Sequence, residues 1–240
     1  MSEPIKILFL ASNPTNISRI RVDKELREVD ERISLGSHRD QFDLIPHFAV
    51  RPRDLRRGLL KYKPHILHFS GHGSTSAGIV LEDDDGKTKV VAATDLAELL
   101  GILKDNLRVV VLNSCYSALQ ASGITQAIDC AIGMNDKVGD QSAIIFSATF
   151  YESLAFGRSI DEAFRLGVAD LKTEGTGSGN IPTLLTRQGV DLAKVYLATD
   201  EKTSPAPQKA GGSARGGDKV INVGDRSTIN AGHDANFSIS

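Results

Sequence analysis

Tryptophan is absent from this 240-residue chain, aromatic residues make up 5% of it, and cysteine occurs twice. With so few rings, the core has to be built from aliphatic side chains. Cys115 and Cys130 are too few for a disulfide framework, which points to a reducing compartment where an isolated cysteine is free to act as a nucleophile. No run approaches the roughly 18 apolar residues needed to span a bilayer, and Met1-Ser2-Glu3-Pro4 leads straight into a strand-like segment instead of a secretory leader. The expectation is a cytoplasmic protein with no membrane span. Neither sign of charge dominates, because 28 basic and 30 acidic residues leave a net charge of −2. Without a broad basic field there is no footprint for a nucleic-acid backbone. No glycine-rich phosphate fingerprint follows the first strand-like run, which argues against a nucleotide-handling domain.

What is present has the rhythm of an α/β protein. Lys6 to Ser12 is a continuous apolar run ending at Asn13-Pro14, the pattern of a strand buried on both faces. Ile20, Val22, Leu26, Val29 and Ile33 then recur at helical spacing among charges. Phe42 to Val50 reads as a second strand, Pro52 opens a helix carrying Leu55, Leu59 and Leu60, and His65 to Phe69 reads as a third strand. Gly78 to Leu81 and Lys87 to Ala93 flank Asp83-Asp84-Asp85-Gly86, an Asp-Gly hairpin signal. That acidic tip lacks the ligand spacing of a calcium loop, so a solvated turn is expected.

Asp95 to Leu103 reads as a helix, and Arg108 to Asn113, the most β-branched run, as a central strand. Ala118 to Ile128 reads as a helix, Ala131 to Met134 as a fifth strand, and Gln141 to Leu171 as two helices broken near Gly157-Arg158-Ser159. Lys194 to Leu197 is the expected closing strand. The alternation implies an open, mostly parallel sheet flanked by helices, with a β-hairpin insertion. The expected domain runs over residues 1–199. Residues 200–217, rich in Pro, Gly, Ser, Ala and Lys, read as a flexible linker. In 218–240 the run Ile221-Asn222-Val223-Gly224-Asp225 recurs as Ile229-Asn230-Ala231-Gly232-His233, with a degenerate copy at Phe237 to Ser240. Asn alternating with Ile and Val, punctuated by Gly, suits strands stacked in register, an amyloid-like assembly motif.

In such a sheet, sites form outside the carboxyl ends of the strands. Gly71-His72-Gly73 and Ser114-Cys115 both fall there. Flanking glycines allow a close backbone approach around His72 and suit it to general-base duty. Cys115 stands between a buried strand and a helix start, where amides and a neighbouring imidazolium favour thiolate. The backbone amides of Gly73 and Cys115 are candidates for an oxyanion hole. His68 reads as a packing residue behind His72, and Cys130 as a small core hydrophobe. No coherent fourth ligand joins His68, His72 and Cys115 in a zinc site, and neither metal nor cofactor is expected.

Ile66-Leu67-His68-Phe69-Ser70-Gly71-His72-Gly73 and Val111-Leu112-Asn113-Ser114-Cys115-Tyr116-Ser117 resemble the two catalytic motifs of CHAT domains, relatives of caspases and separases. Phe9 to Pro14 and Ile132-Gly133-Met134 are similar to that family as well, and the resemblance covers roughly residues 5–198. It implies a caspase-like fold and a cysteine peptidase with His72 and Cys115 as its dyad, acting on protein substrates. Likeness to caspases places Asn113 on the wall of the specificity pocket. Arg19 and Arg21 could then select an acidic side chain before the scissile bond, or Asp129, Asp136 or Asp140 a basic one. Tails of the 218–240 kind resemble motifs by which bacterial immune receptors recruit effectors, which implies a receptor or self-assembly partner and activation by proximity. The rival from another class is a catalytically silent adaptor that signals through its tail.

Overall fold

In the computed structural model, residues 3–74 and 78–199 are described. The expected linker and repeat, residues 200–217 and 218–240, lie outside them.

β1 (Ile5–Ala11) is buried along nearly its whole length, as a continuous aliphatic run must be when helices cover both faces of its sheet. α1 (Val22–Leu35) follows, then β2 (Phe42–His47), α2 (Pro52–Tyr62) and β3 (Ile66–Ser70). β4 (Gly73–Ser74), β5 (Gly78–Glu82) and β6 (Thr88–Ala92) form a separate antiparallel sheet. α3 (Ala93–Ile102), β7 (Val109–Asn113), α4 (Ala118–Ile124), β8 (Cys130–Met134), α5 (Asp140–Ala155), α6 (Ile160–Thr173) and β9 (Pro182–Thr186) complete the order.

The main sheet has six strands in the order β2-β1-β3-β7-β8-β9. Its neighbours are parallel except β8 and β9. Alternate residues feed two cores. Ile5, Ile7, Ile66, Val109, Val111 and Ile132 pack with α1, α5 and α6. Leu8, Leu10, Leu67, Phe69, Val110 and Leu112 pack with α2, α3 and α4. This period of two sends side chains of one strand to opposite layers, and it puts His68, Ser70 and Asn113 on the α1/α5 side. The fold is therefore the expected mostly parallel α/β sheet with a hairpin insertion.

Three boundaries differ from expectation by more than two residues. The closing strand is β9, antiparallel to β8, while Leu192–Lys194 is a 3-10 turn. β9 begins at Pro182, a residue tolerated at the start of an edge strand because it has no N–H to donate, and that proline masks the strand in the sequence. β2 stops at His47 because Ala49 turns the chain at φ 51°. α4 ends at Ile124, after which Ala127 and Ile128 still donate to the Ile124 carbonyl as an irregular turn. The break between α5 and α6 falls where expected. Gly157 adopts φ 75°, and Ser159 caps α6 by accepting from the Glu162 amide.

Candidate active site

β3 and β7 are hydrogen-bonded neighbours, with Ser70 opposite Asn113 as the last pair in register. Two residues beyond each strand end come His72 and Cys115. Register alone thus delivers both side chains to one edge of the sheet. Gly71 is dictated by crowding, since a Cβ there would press on the Phe69 ring and the Ser12 carbonyl. At Gly73 a Cβ would overlap the carbonyl oxygen of Cys115, so the histidine loop and the cysteine loop touch backbone to backbone.

His72 is held from two directions. Its carbonyl accepts from the Val80 amide at 3.0 Å, and its Nε2–H donates to the Ser18 carbonyl at 2.7 Å. A carbonyl only accepts, so this bond places a proton on Nε2. Cys115 is half-buried, with Sγ 3.9 Å from the Val138 carbonyl. The next residue, Tyr116, sits at φ 58°, a left-handed conformation rare outside glycine, and its amide donates to the Asp136 carbonyl at 3.3 Å. Ser117 pins this turn by donating to the Leu112 carbonyl at 2.7 Å and accepting from the Met134 amide at 2.9 Å. Such strain persists only where the surroundings over-determine it.

His72 and Cys115 line one pocket together with Arg21, Glu25, Asn113 and Asp140. Beneath it lies a buried polar network. The Glu25 carboxylate accepts from His68 Nε2 at 2.9 Å, Ser70 Oγ at 2.6 Å, Asn113 Nδ2 at 2.6 Å and Ser147 Oγ at 2.7 Å. His68 Nδ1 is paired with the Tyr151 hydroxyl at 3.1 Å, and its ring stacks on Phe9 at 4.4 Å. Burial pushes the Glu25 carboxyl upward, but the neighbouring His68 and the hydrogen bonds from His68, Ser70 and Asn113 together hold it below the usual range. Burial raises the Tyr151 hydroxyl well above its ordinary value, and the Glu25 charge adds to this.

The sequence-predicted residues divide by place. His72, Cys115, Asn113, Arg21 and Asp140 come together. Asp140, the first residue of α5, accepts from the Arg21 amide at 3.1 Å. Asp136 sits on the exposed loop after β8, against Tyr116, and Arg19 is exposed on the loop before α1 without lining the pocket. Asp129 is not brought there. It precedes β8 at the opposite edge of the sheet, where Arg108 and Arg187 both pair with its carboxylate. His68 is the packing residue its position implied. Cys130 is fully buried, and burial pushes its thiol up to about 12. The acidic hairpin tip is engaged by its surroundings, with Asp84 paired to Arg51 and Arg53.

Glu25, Ser147, Tyr151 and the Ser18 carbonyl were not anticipated. For Glu25 a signal existed. It stands three residues after Val22 and four before Val29, so it interrupts the apolar stripe of α1 with a charge, which is tolerated only when its hydrogen bonds are supplied. Among the described residues no cluster of three or more His, Cys, Asp or Glu is disposed to hold a metal ion. No helix there is long and apolar enough to cross a membrane.

The CHAT domain family matches residues 21–171. A "Roc-COR-CHAT protease" from an unknown prokaryotic organism is 28% identical over 174 residues, covering 70% of this chain and 16% of that protein. A "Probable protease" of Gillisia limnaea is 29% identical over 160 residues, covering 65% of this chain and 28% of that protein. The chain thus spans under a third of the length of these relatives. The crystal structure of the Arg specific cysteine proteinase gingipain R superposes with a TM-score of 0.54 at 11% identity, over 76% of this chain and 46% of that one. At that identity the likeness concerns the fold.

Proposed function

The chain belongs to the CHAT domain family, and from that premise we propose that it is a cysteine endopeptidase with His72 and Cys115 as its dyad. The observation that carries this reading is their convergence in one pocket, with the Gly73 backbone against the Cys115 carbonyl and His72 Nε2–H committed to Ser18. Cys115 Sγ gives its proton to His72 Nδ1 and attacks the scissile carbonyl. The tetrahedral oxyanion is held by the amides of Gly73 and Cys115, and His72 returns the proton to the departing amine, which leaves an acyl-enzyme. Water, deprotonated by His72, then attacks the thioester and frees Cys115.

Asn113, Arg21 and Asp140 form the pocket for the side chain that precedes the scissile bond. The protein relatives named as proteases support a protein substrate. Residues 218–240 serve as an assembly motif that gathers copies in a bacterial immune or regulated-death pathway of the cytoplasm, and crowding of copies raises activity. The test is hydrolysis of fluorogenic peptides by the wild type, Cys115→Ala and His72→Ala. Hydrolysis lost in both variants supports the dyad, and hydrolysis that survives Cys115→Ala overturns it.

A further inference from the structure

Resting on the peptidase reading, we infer that the pocket beside Cys115 selects a basic side chain, arginine or lysine, immediately before the scissile bond, with Glu25 and Asn113 as its specificity-determining residues. The walls are aliphatic. Ile20, Val22, Val138 and Ile144 line the pocket, the surface against which an arginine or lysine stem packs while its polar end seeks acceptors.

The inner end of the pocket supplies acceptors. Asn113 Nδ2 faces Glu25 Oε1 at 2.6 Å, Ser147 Oγ at 2.9 Å and the Ala143 carbonyl at 3.1 Å. Three acceptors on one side fix the orientation of the amide. Oδ1 is thereby left buried with no hydrogen-bond partner among the described residues, on a residue only 3% exposed. A buried acceptor without a donor carries its full desolvation cost, and a ligand N–H removes that cost. Glu25 Oε2 accepts from Ser70 alone among the described residues, so it keeps room for a second donor. Its carboxyl is also held ionised, as described above.

Charge decides which donor fits. The pocket is lined by two carboxylates, Glu25 and Asp140, and one guanidinium, Arg21. The Arg21 side chain is 55% exposed and its Nε donates to Asp23, so solvent screens its charge, while the buried Glu25 charge, shared with His68, is screened much less by the solvent. An acidic side chain would meet two carboxylates, Glu25 and Asp140, against the single guanidinium of Arg21. A neutral amide would satisfy Asn113 Oδ1 but would place no positive charge beside Glu25 Oε2 and Asp140. Only a cation rich in N–H groups answers both.

The test uses the full chain and peptides that differ only before the scissile bond, carrying Arg, Lys, citrulline, Glu or Leu. The wild type should favour Arg over citrulline, its neutral isostere, by about tenfold in kcat/KM, and over Glu and Leu by more. In Glu25→Gln the Arg-to-citrulline ratio should fall toward one. If circular dichroism shows that variant misfolded, Asp140→Asn, on the exposed start of α5, should lower the same ratio by about threefold. Best cleavage after Glu or Leu, equal use of Arg and citrulline, or a ratio unmoved in a folded variant would overturn the inference and leave the peptidase standing. Absence of any Cys115-dependent cleavage would overturn the peptidase and this inference together.

Discussion

Ser70 and Asn113 face each other at the ends of β3 and β7, and both donate to the Glu25 carboxylate. Each lies two residues before a member of the proposed dyad, so one buried acid from α1 ties together the bases of the two loops that carry His72 and Cys115. Ser147 and His68 complete its shell, and a carboxylate with four donors resists protonation despite its burial.

That bond set implies a definite pH dependence. Because the folded Glu25 carboxyl lies below its ordinary value of 4.5, its stabilising effect is complete above that value and is lost as pH falls through the lower folded one. Urea unfolding from pH 7 to pH 3 should show the wild type losing stability faster than Glu25→Gln below about pH 4.5. At neutral pH the variant should be less stable by about 2 kcal/mol, from donors left facing an amide. Parallel curves at all pH values would refute the ionised carboxylate.

The contact between Gly73 and Cys115 sets a second expectation. Gly73→Ala puts a methyl group where the Cys115 carbonyl oxygen is, and backbone, unlike a flexible side chain, has nowhere to yield. A shift of about 1 Å between the loops costs on the order of 100-fold in rate. Peptide hydrolysis by Gly73→Ala, compared with its far-ultraviolet spectrum, measures this. Activity within about twofold of wild type would show that the close approach does not position the dyad.

The two thiols should differ sharply in reactivity. Cys115 is half-buried at the pocket, whereas Cys130 is fully buried with its thiol raised to about 12 and is almost wholly protonated at pH 8. Iodoacetamide on the native protein should add one label, removed by Cys115→Ala, and a second label only after denaturation. Fast native labelling of Cys130, read by peptide mass, would contradict the packing of β8.

At the far edge of the sheet, Asp129 should matter for stability and not for catalysis. Its carboxylate is shared by Arg108 and Arg187, which precede β7 and follow β9 respectively. These hold it below the usual range even though burial, the largest single influence, pushes it up. Asp129→Ala leaves two half-exposed arginines without their acid and should cost about 1–2 kcal/mol in thermal unfolding, with kcat/KM within about twofold at a temperature where the variant is folded. A change in substrate preference would return Asp129 to the pocket.

The paired motifs around His72 and Cys115 were legible because each is a local pattern, an apolar strand followed by small residues and one reactive side chain. β1, β3 and β7 announced themselves in the same way, since a strand buried on both faces is apolar along most of its length. β9 was not legible. Pro182 and two threonines look like a loop until β8 offers an edge to pair with, and Lys194 to Leu197, more strand-like in composition, has no such neighbour in the sheet.

Composition, periodicity and the two motifs determined the class of fold and the order of its main elements, and they singled out His72 and Cys115 as the candidate pair. These are properties of nearest neighbours along the chain, where side-chain size and backbone preference act directly. Only the tertiary structure decided that Glu25 lies beneath the pocket, that Ser18 holds His72, that Asp140 reaches the site and that Asp129 does not. Those outcomes depend on the parallel register of β3 and β7 and on the packing of α1 and α5 against them. Register and packing are set by the burial of many residues at once, and no single segment records them.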